Sequence, residues 1–203
     1  MGTENSHNDE WLELFNPGGA PVNLDNWIFQ AKDGTPFIKL SGTIEAESYF
    51  LLERTDDASA ADIPADLIYK GGLSNQGEYL LLLDDFARVV DEIDCSLGWF
   101  AGNNENKKTM ERIDAYSAGP GQLLGSDPDN WKTSQKSGGT PKSKNSPAES
   151  INPKKELVIS AKNYAGSSFG SVLGIGLGAS SCVSVIFSAR WLKIRKKSSK
   201  MKA

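Results

Sequence analysis

The sequence predicts an all-β sandwich, followed by a linker and a single C-terminal transmembrane helix. Three observations predict it. Across residues 10–131 short apolar segments alternate with turn clusters, and no amphipathic helical repeat interrupts them. An uncharged run, FGSVLGIGLGASSCVSVIFSA, fills residues 169–189 without one Asp, Glu, Lys, Arg, Asn, Gln, His or Pro. Charge divides around that run. Residues 1–150 hold 12 Lys and Arg against 25 Asp and Glu, a net of −13, whereas residues 151–203 hold 10 against one, a net of +9.

The strands come in order. Trp11, Leu12, Leu14 and Phe15 form the first, ended by Asn16-Pro17-Gly18-Gly19, a strong turn signal. Val22, Leu24 and Trp27-Ile28-Phe29 make the second, stopped by Asp33-Gly34. Phe37, Ile38 and Leu40 precede Ser41-Gly42, and Tyr49-Phe50-Leu51-Leu52 end at Arg54-Thr55-Asp56-Asp57. Residues 58–70, with Pro64 inside, read as a loop with a helical turn. After Ser74-Asn75-Gln76-Gly77, the run Tyr79-Leu80-Leu81-Leu82-Leu83 lacks alternation, which predicts a central strand covered on both faces. Asp84-Asp85 turns it into Val89-Val90-Asp91-Glu92-Ile93. Met110 and Ile113 mark a further strand and Trp131 the last; from Ser134 to Asn163 the chain takes on the Ser, Pro, Lys and Gly content of a linker. Trp11, Trp27, Trp99 and Trp131 sit at strand-like positions and are expected in the core, the alternative being an exposed Trp99-Phe100 ligand platform.

About 20 apolar residues in a helix span the hydrocarbon core of a bilayer. The run has no polar face, which argues against a buried helix of a soluble protein. Gly170, Gly174 and Gly178 fall four residues apart on one helical face, a small-xxx-small stripe that lets two backbones approach. Seven basic residues follow the run, and Arg190, Trp191, Lys193, Arg195, Lys196 and Lys197 are the expected membrane-interface anchors. By the positive-inside rule the C-terminus is cytoplasmic and the sandwich lies on the other side. The N-terminal MGTENSHNDE has neither a basic start nor an apolar core, so it is not a signal peptide. A domain translocated ahead of its anchor needs one, and Met1 is therefore read as an internal methionine.

Little in the sequence points to chemistry. His7 is the only histidine and stands in a polar stretch. With two remote cysteines, Cys95 and Cys182, it cannot supply four zinc ligands, and both cysteines are expected unpaired. Gly174, Gly176 and Gly178 lack the Lys-Ser/Thr of a phosphate loop. Carboxylates are the one candidate ligand set: Asp56, Asp57, Asp62 and Asp66 in one loop, Asp84 and Asp85 in a hairpin. Ca²⁺ is the cation such oxygens would take, against the plainer reading of solvated turn residues.

The ordered series of pieces resembles the lamin tail domain in its bacterial form. Those pieces are Glu10-Trp11-Leu12-Glu13-Leu14-Phe15-Asn16-Pro17, Val22-Asn23-Leu24-Asp25-Asn26-Trp27, Leu40-Ser41-Gly42-Thr43-Ile44 and the segment 49–55. They continue with Leu73-Ser74-Asn75-Gln76-Gly77-Glu78, Val89-Val90-Asp91, Gly98-Trp99, Thr109-Met110-Glu111-Arg112, Asn130-Trp131 and the closing segment 139–146. The resemblance implies an immunoglobulin-like β-sandwich over residues 8–146, with no heptad rod and no prenylation box. Family members usually begin with one strand more, so the first strand and a leader are expected upstream of Met1. The implied layout is a sandwich over 1–146, a flexible linker over 147–165, a transmembrane helix over 166–190 and a basic cytoplasmic tail over 191–203.

The function this organisation predicts is that of a non-catalytic, membrane-anchored interaction module, displayed outside a bacterial-type cell with no cofactor. Its partners are membrane lipid through the helix and a protein, a surface polymer or a second copy of the chain. An acidic domain is a poor partner for nucleic acid, whose phosphates call for clustered Lys and Arg. The rivals are an accessory to extracellular nucleic-acid or phosphoester hydrolysis, and a cytosolic domain on a tail anchor.

Overall fold

The computed structural model describes residues 6, 8–60, 62–113, 125–147 and, as backbone alone, 184–188. Twelve strands run through them: β1 (Trp11–Asn16), β2 (Val22–Asn23), β3 (Ile28–Ala31), β4 (Phe37–Lys39), β5 (Thr43–Ile44) and β6 (Ser48–Arg54). They continue with β7 (Leu67–Tyr69), β8 (Tyr79–Leu83), β9 (Val89–Asp94), β10 (Lys108–Arg112), β11 (Trp131–Ser137) and β12 (Ser184–Ser188). The one helical element among the described residues is a 3₁₀ turn over Pro128–Asn130.

Two four-stranded sheets, β12-β1-β6-β7 and β4-β3-β8-β9, are joined by the short pairs β2-β5 and β10-β11. All pairings are antiparallel except β6 with β7. Leu12 and Leu14 of β1 and Leu52 of β6 share one apolar cluster with Phe29, Leu80, Leu82 and Ile93 of the second sheet. The whole is an all-β fold consistent with a sandwich. Trp27, Trp99 and Trp131 join that cluster, and Trp11 packs with Leu51 and Ala60 in a second one. With Trp99 only 7 % exposed, the exposed-platform reading of Trp99-Phe100 is ruled out.

Four sequence expectations need correction. The second strand is two: β2 pairs with β5 and β3 with β4 and β8, separated by a turn that holds Asn26 at φ 67°. The loop over 58–70 ends in β7, which lies parallel to β6 and contains no helical turn among its described residues. The linker-like composition from Ser134 misleads, because β11 runs through Ser137 and Asn145 and Ser146 are buried. Finally, β8 is central, between β3 and β9, but covered on one face only: Leu80 and Leu82 are buried while Tyr79, Leu81 and Leu83 are half-exposed.

Strand β1 is buried on both faces along its whole length, although Glu13 lies within it and Glu10 just before it. All six of its residues are buried. Leu12 and Leu14 face the core; on the other side Trp11 lies under Ala60 and Ile63, and the Phe15 ring meets Tyr49 at 4.8 Å between centroids. Its second edge is filled by β12, in the register Trp11↔Ser188 to Phe15↔Ser184. Residues 184–188 belong to the run expected to be helix, and here they are strand. A Ser-Val-Ile-Phe-Ser segment has the β-branched and aromatic content that suits an open sheet edge. The rest of that run and the basic tail lie outside the described residues.

Candidate functional site

The acids sort into two groups that the sequence does not distinguish. The first is buried and fastens loops. Glu10 Oε1 accepts from the Tyr69 hydroxyl at 2.8 Å and from the Leu73 N–H at 3.0 Å. Glu53 accepts from the N–H groups of Ser59 (2.7 Å) and Ala60 (2.9 Å), which holds that loop over Trp11. Glu13 and Glu111 clasp the closing segment. Glu13 Oε1 accepts the Lys142 N–H at 2.5 Å, and Glu111 accepts the Thr140 hydroxyl at 2.9 Å and the Ser146 N–H at 3.0 Å. Lys142 Nζ then reaches Asp66 at 2.9 Å. A carboxylate that accepts backbone N–H groups replaces the water those groups lose on burial.

Burial acts on these groups. Glu13 is fully buried, and its Oε2 has no hydrogen-bond partner among the described residues. Loss of solvent pushes its carboxyl up to about 8, against the lowering effect of the Lys142 N–H. Burial likewise raises Glu53 and pushes the unpaired Cys95 thiol up to about 12. Arg112, also buried, pairs with Asp91 at 2.6 Å and so ties β10 to β9.

The second group faces a recess of about 400 Å³ where β3, β8 and β9 end side by side. Lys32, Asp33, Glu78, Tyr79, Asp94 and Ser96 line it. Two backbone bonds set its frame, Lys32 N–H to the Tyr79 carbonyl and Cys95 N–H to the Glu78 carbonyl, both 2.8 Å. Gly77 permits that approach. It sits at φ 105°, and a Cβ there would come within 2.0 Å of the Cys95 carbonyl oxygen. Within the recess Lys32 Nζ lies over the Tyr79 ring at 4.7 Å, and the Tyr79 hydroxyl donates to Glu92 at 2.7 Å. Asp94 accepts from the Ser96 hydroxyl (2.5 Å) and N–H (3.0 Å), bonds that hold its carboxyl below the usual range.

Glu78 stands apart. Its Oε1 accepts the Ser74 N–H at 2.9 Å, while its buried Oε2 has no partner among the described residues. Burial pushes it up to about 7, partly opposed by that N–H and reinforced by Asp33 and Glu10. The recess therefore presents acceptor oxygens beside an aromatic face and one lysine. Amine, guanidinium or sugar hydroxyl donors match that surface.

Other expected sites fare differently. Asp57 accepts the Ala65 N–H at 2.8 Å, Asp66 holds Lys142, and Asp84 pairs with Arg88 at 2.7 Å. Among the described residues no group of three or more His, Cys, Asp or Glu is placed to hold a metal ion. His7, Cys182, the stripe Gly170, Gly174 and Gly178, and the anchors Arg190, Trp191, Lys193, Arg195, Lys196 and Lys197 lie outside the described residues. No helix among the described residues is long and apolar enough to cross a membrane. Turn signals mark both sides of the recess in the sequence, Asp33-Gly34 and Asn75-Gln76-Gly77, but nothing in it signals that three strand ends meet there. No protein-family model matches the chain, and no curated protein is similar to it.

Proposed function

We propose that the chain is a non-catalytic interaction module of lamin-tail type, an immunoglobulin-like sandwich held at a bacterial-type cell membrane and displayed on the extracytoplasmic side. The anchor rests on the uncharged run over 169–189 and the basic residues after it. Binding rests on the recess, and one observation carries it: the exposed carboxyls of Asp33 and Asp94 gather beside the Tyr79 ring and Lys32 at an open sheet end. Hydrogen bonds to ionised carboxyls are stronger than neutral ones, so donors that meet Asp33 and Asp94 together would be held there. The partner is accordingly a protein or surface polymer that offers amines, guanidinium groups or sugar hydroxyls.

An NMR titration with a short lysine-rich peptide, and separately with a neutral oligosaccharide, tests the binding. Amide shifts confined to Lys32, Asp33, Tyr79, Asp94 and Ser96, and lost in Asp33→Asn/Asp94→Asn, are expected; shifts scattered over the surface, or none, sink it. Added protease on intact cells tests the display. Cleavage of the sandwich is expected, and its protection would favour the cytosolic tail-anchored arrangement.

A further inference from the structure

The sheet β4-β3-β8-β9 is apolar on both faces, although only one of them meets the core. Strand residues alternate between faces, and the inward set, Ile38, Phe29, Leu80, Leu82 and Ile93, is buried in the main cluster. The outward set departs from the polar complement that a solvent face usually shows. Phe37 and Val89 are 49 % and 55 % exposed, and Ile28, Leu81 and Leu83 are half-exposed between them. Register makes these side chains one patch. Lys39, Ile28, Leu83 and Val89 stand in one row across the four strands, and Phe37, Gln30, Leu81 and Glu92 in the next. The recess lies beyond the second row and shares no residue with either.

We propose that this face is an interface between two copies of the chain, packed face to face about a twofold axis and independent of the recess. Charge selects a second copy as the occupant. Residues 1–150 hold a net −13, which drives two copies apart, whereas the two rows carry one charge of each sign. Those charges stand on opposite edges of the sheet, Lys39 on β4 and Glu92 on β9. A twofold axis along the strands, between β3 and β8, lays β4 over the second copy's β9 and β3 over its β8. Ile28 then meets the second copy's Leu83, and Lys39 comes within side-chain reach of its Glu92. Symmetry repeats both contacts at the other rim. The Tyr79 hydroxyl, donating to Glu92 at 2.7 Å, steadies that carboxylate. With strands about 4.8 Å apart and rows about 7 Å apart, the patch measures roughly 20 by 14 Å. That is less than the about 800 Å² per partner of a standard interface, so the pair is weak and reversible. At the dilution of an unfolding experiment it is largely apart.

Sedimentation of the full chain in micelles of a neutral detergent tests the pairing. A dimer whose share grows with protein concentration up to about 1 mM is expected, and a chain that stays monomeric throughout overturns the proposal. Lys39→Glu, and separately Glu92→Lys, sets like charges against each other at both rims and should weaken the dimer on the order of tenfold. Mixing the two variants restores opposite charges at both rims of the mixed pair, which should associate about as strongly as the wild type. Weakening in each variant without recovery on mixing overturns the twofold arrangement. A dimer indifferent to both substitutions is held elsewhere, as by the stripe Gly170, Gly174 and Gly178, and overturns the proposal as well.

Discussion

Strands β1 and β8 invert what their sequences suggest. β8 is five residues of Tyr and Leu, and it leaves three of them half-exposed; β1 carries an acid in its middle and is buried throughout. The difference lies in what covers each outer face. Above β1 lie the loop at Ala60, Tyr49 and the closing segment, two of them fastened by Glu53 and Glu13. Above Leu81 and Leu83 the described residues place nothing comparable. Apolar content fixes which residues can be buried, but burial needs a cover, and in this molecule buried carboxylates hold the cover down.

The sharpest test of that contrast is a matched pair of truncations. Leu12→Ala, at a fully buried position among Leu14, Phe50 and Leu52, should cost about 3 kcal/mol in urea unfolding. If Leu12→Ala proves mild, β1 is not the packed centre of its sheet.

The next effect is a pH dependence carried by Glu13. Its carboxyl is pushed up to about 8 in the fold, above the 4.5 it starts from. The folded state therefore binds the proton more tightly, so the stability this group contributes is full below about pH 4.5 and lost as the pH rises through about 8. The groups facing it are Lys142, which favours the charged form, and Asp66 and Glu111, which oppose it. Glu13→Gln keeps the shape and the acceptor for the Lys142 N–H but cannot ionise. Urea midpoints between about pH 5 and 8 should fall in the wild type, by a few kcal/mol of stability, and fall less in the variant. Equal slopes would mean that Glu13 already has a counter-charge.

The parallel group beside β8 is Glu78, pushed up to about 7. The sign is the same, with stability present below about pH 4.5 and lost through about pH 7, but the window is narrower, so Glu78→Gln should remove a smaller total loss. Because Glu78 also lines the recess, a cationic ligand bound there should lower its pKa through space, visible in the pH dependence of the carboxyl carbon shift. The Glu13 titration should not move with that ligand. Motion of both together would mean the ligand acts on the whole sandwich.

How far these features were legible follows from what each depends on. Turn clusters and period-2 segments are local, so β1, β6, β8 and β9 could be read directly. β7 could not, because Leu-Ile-Tyr after a proline-bearing loop becomes a strand only by lying parallel to β6. The Ser and Lys of β11 look like linker because much of that strand faces outward, exposing Gln135, Lys136 and Ser137 while burying Trp131 and Ser134. The recess was invisible for a different reason. Asp33, Glu78 and Asp94 are far apart in sequence and meet only because β3, β8 and β9 are neighbours. Nor does any residue type mark Glu13 as buried and Asp57 as a turn acid; the difference is whether another segment arrives to cover it.

The smallest expected effect closes the contrast with β8. Leu81 points away from the core, opposite Gln30 on β3 and Glu92 on β9, and is half-exposed. Truncating it removes little buried area and leaves no enclosed cavity, so Leu81→Ala should cost under about 1 kcal/mol, against about 3 for Leu12→Ala. A polar replacement sharpens the comparison, since Leu81→Thr puts a β-branched residue suited to a strand in place of leucine and makes the surface polar. It should be near neutral in urea unfolding. A loss as large as that of Leu12→Ala would show that the outer face of this sheet is covered in solution after all, and concentration dependence of that loss would identify a second copy as the cover.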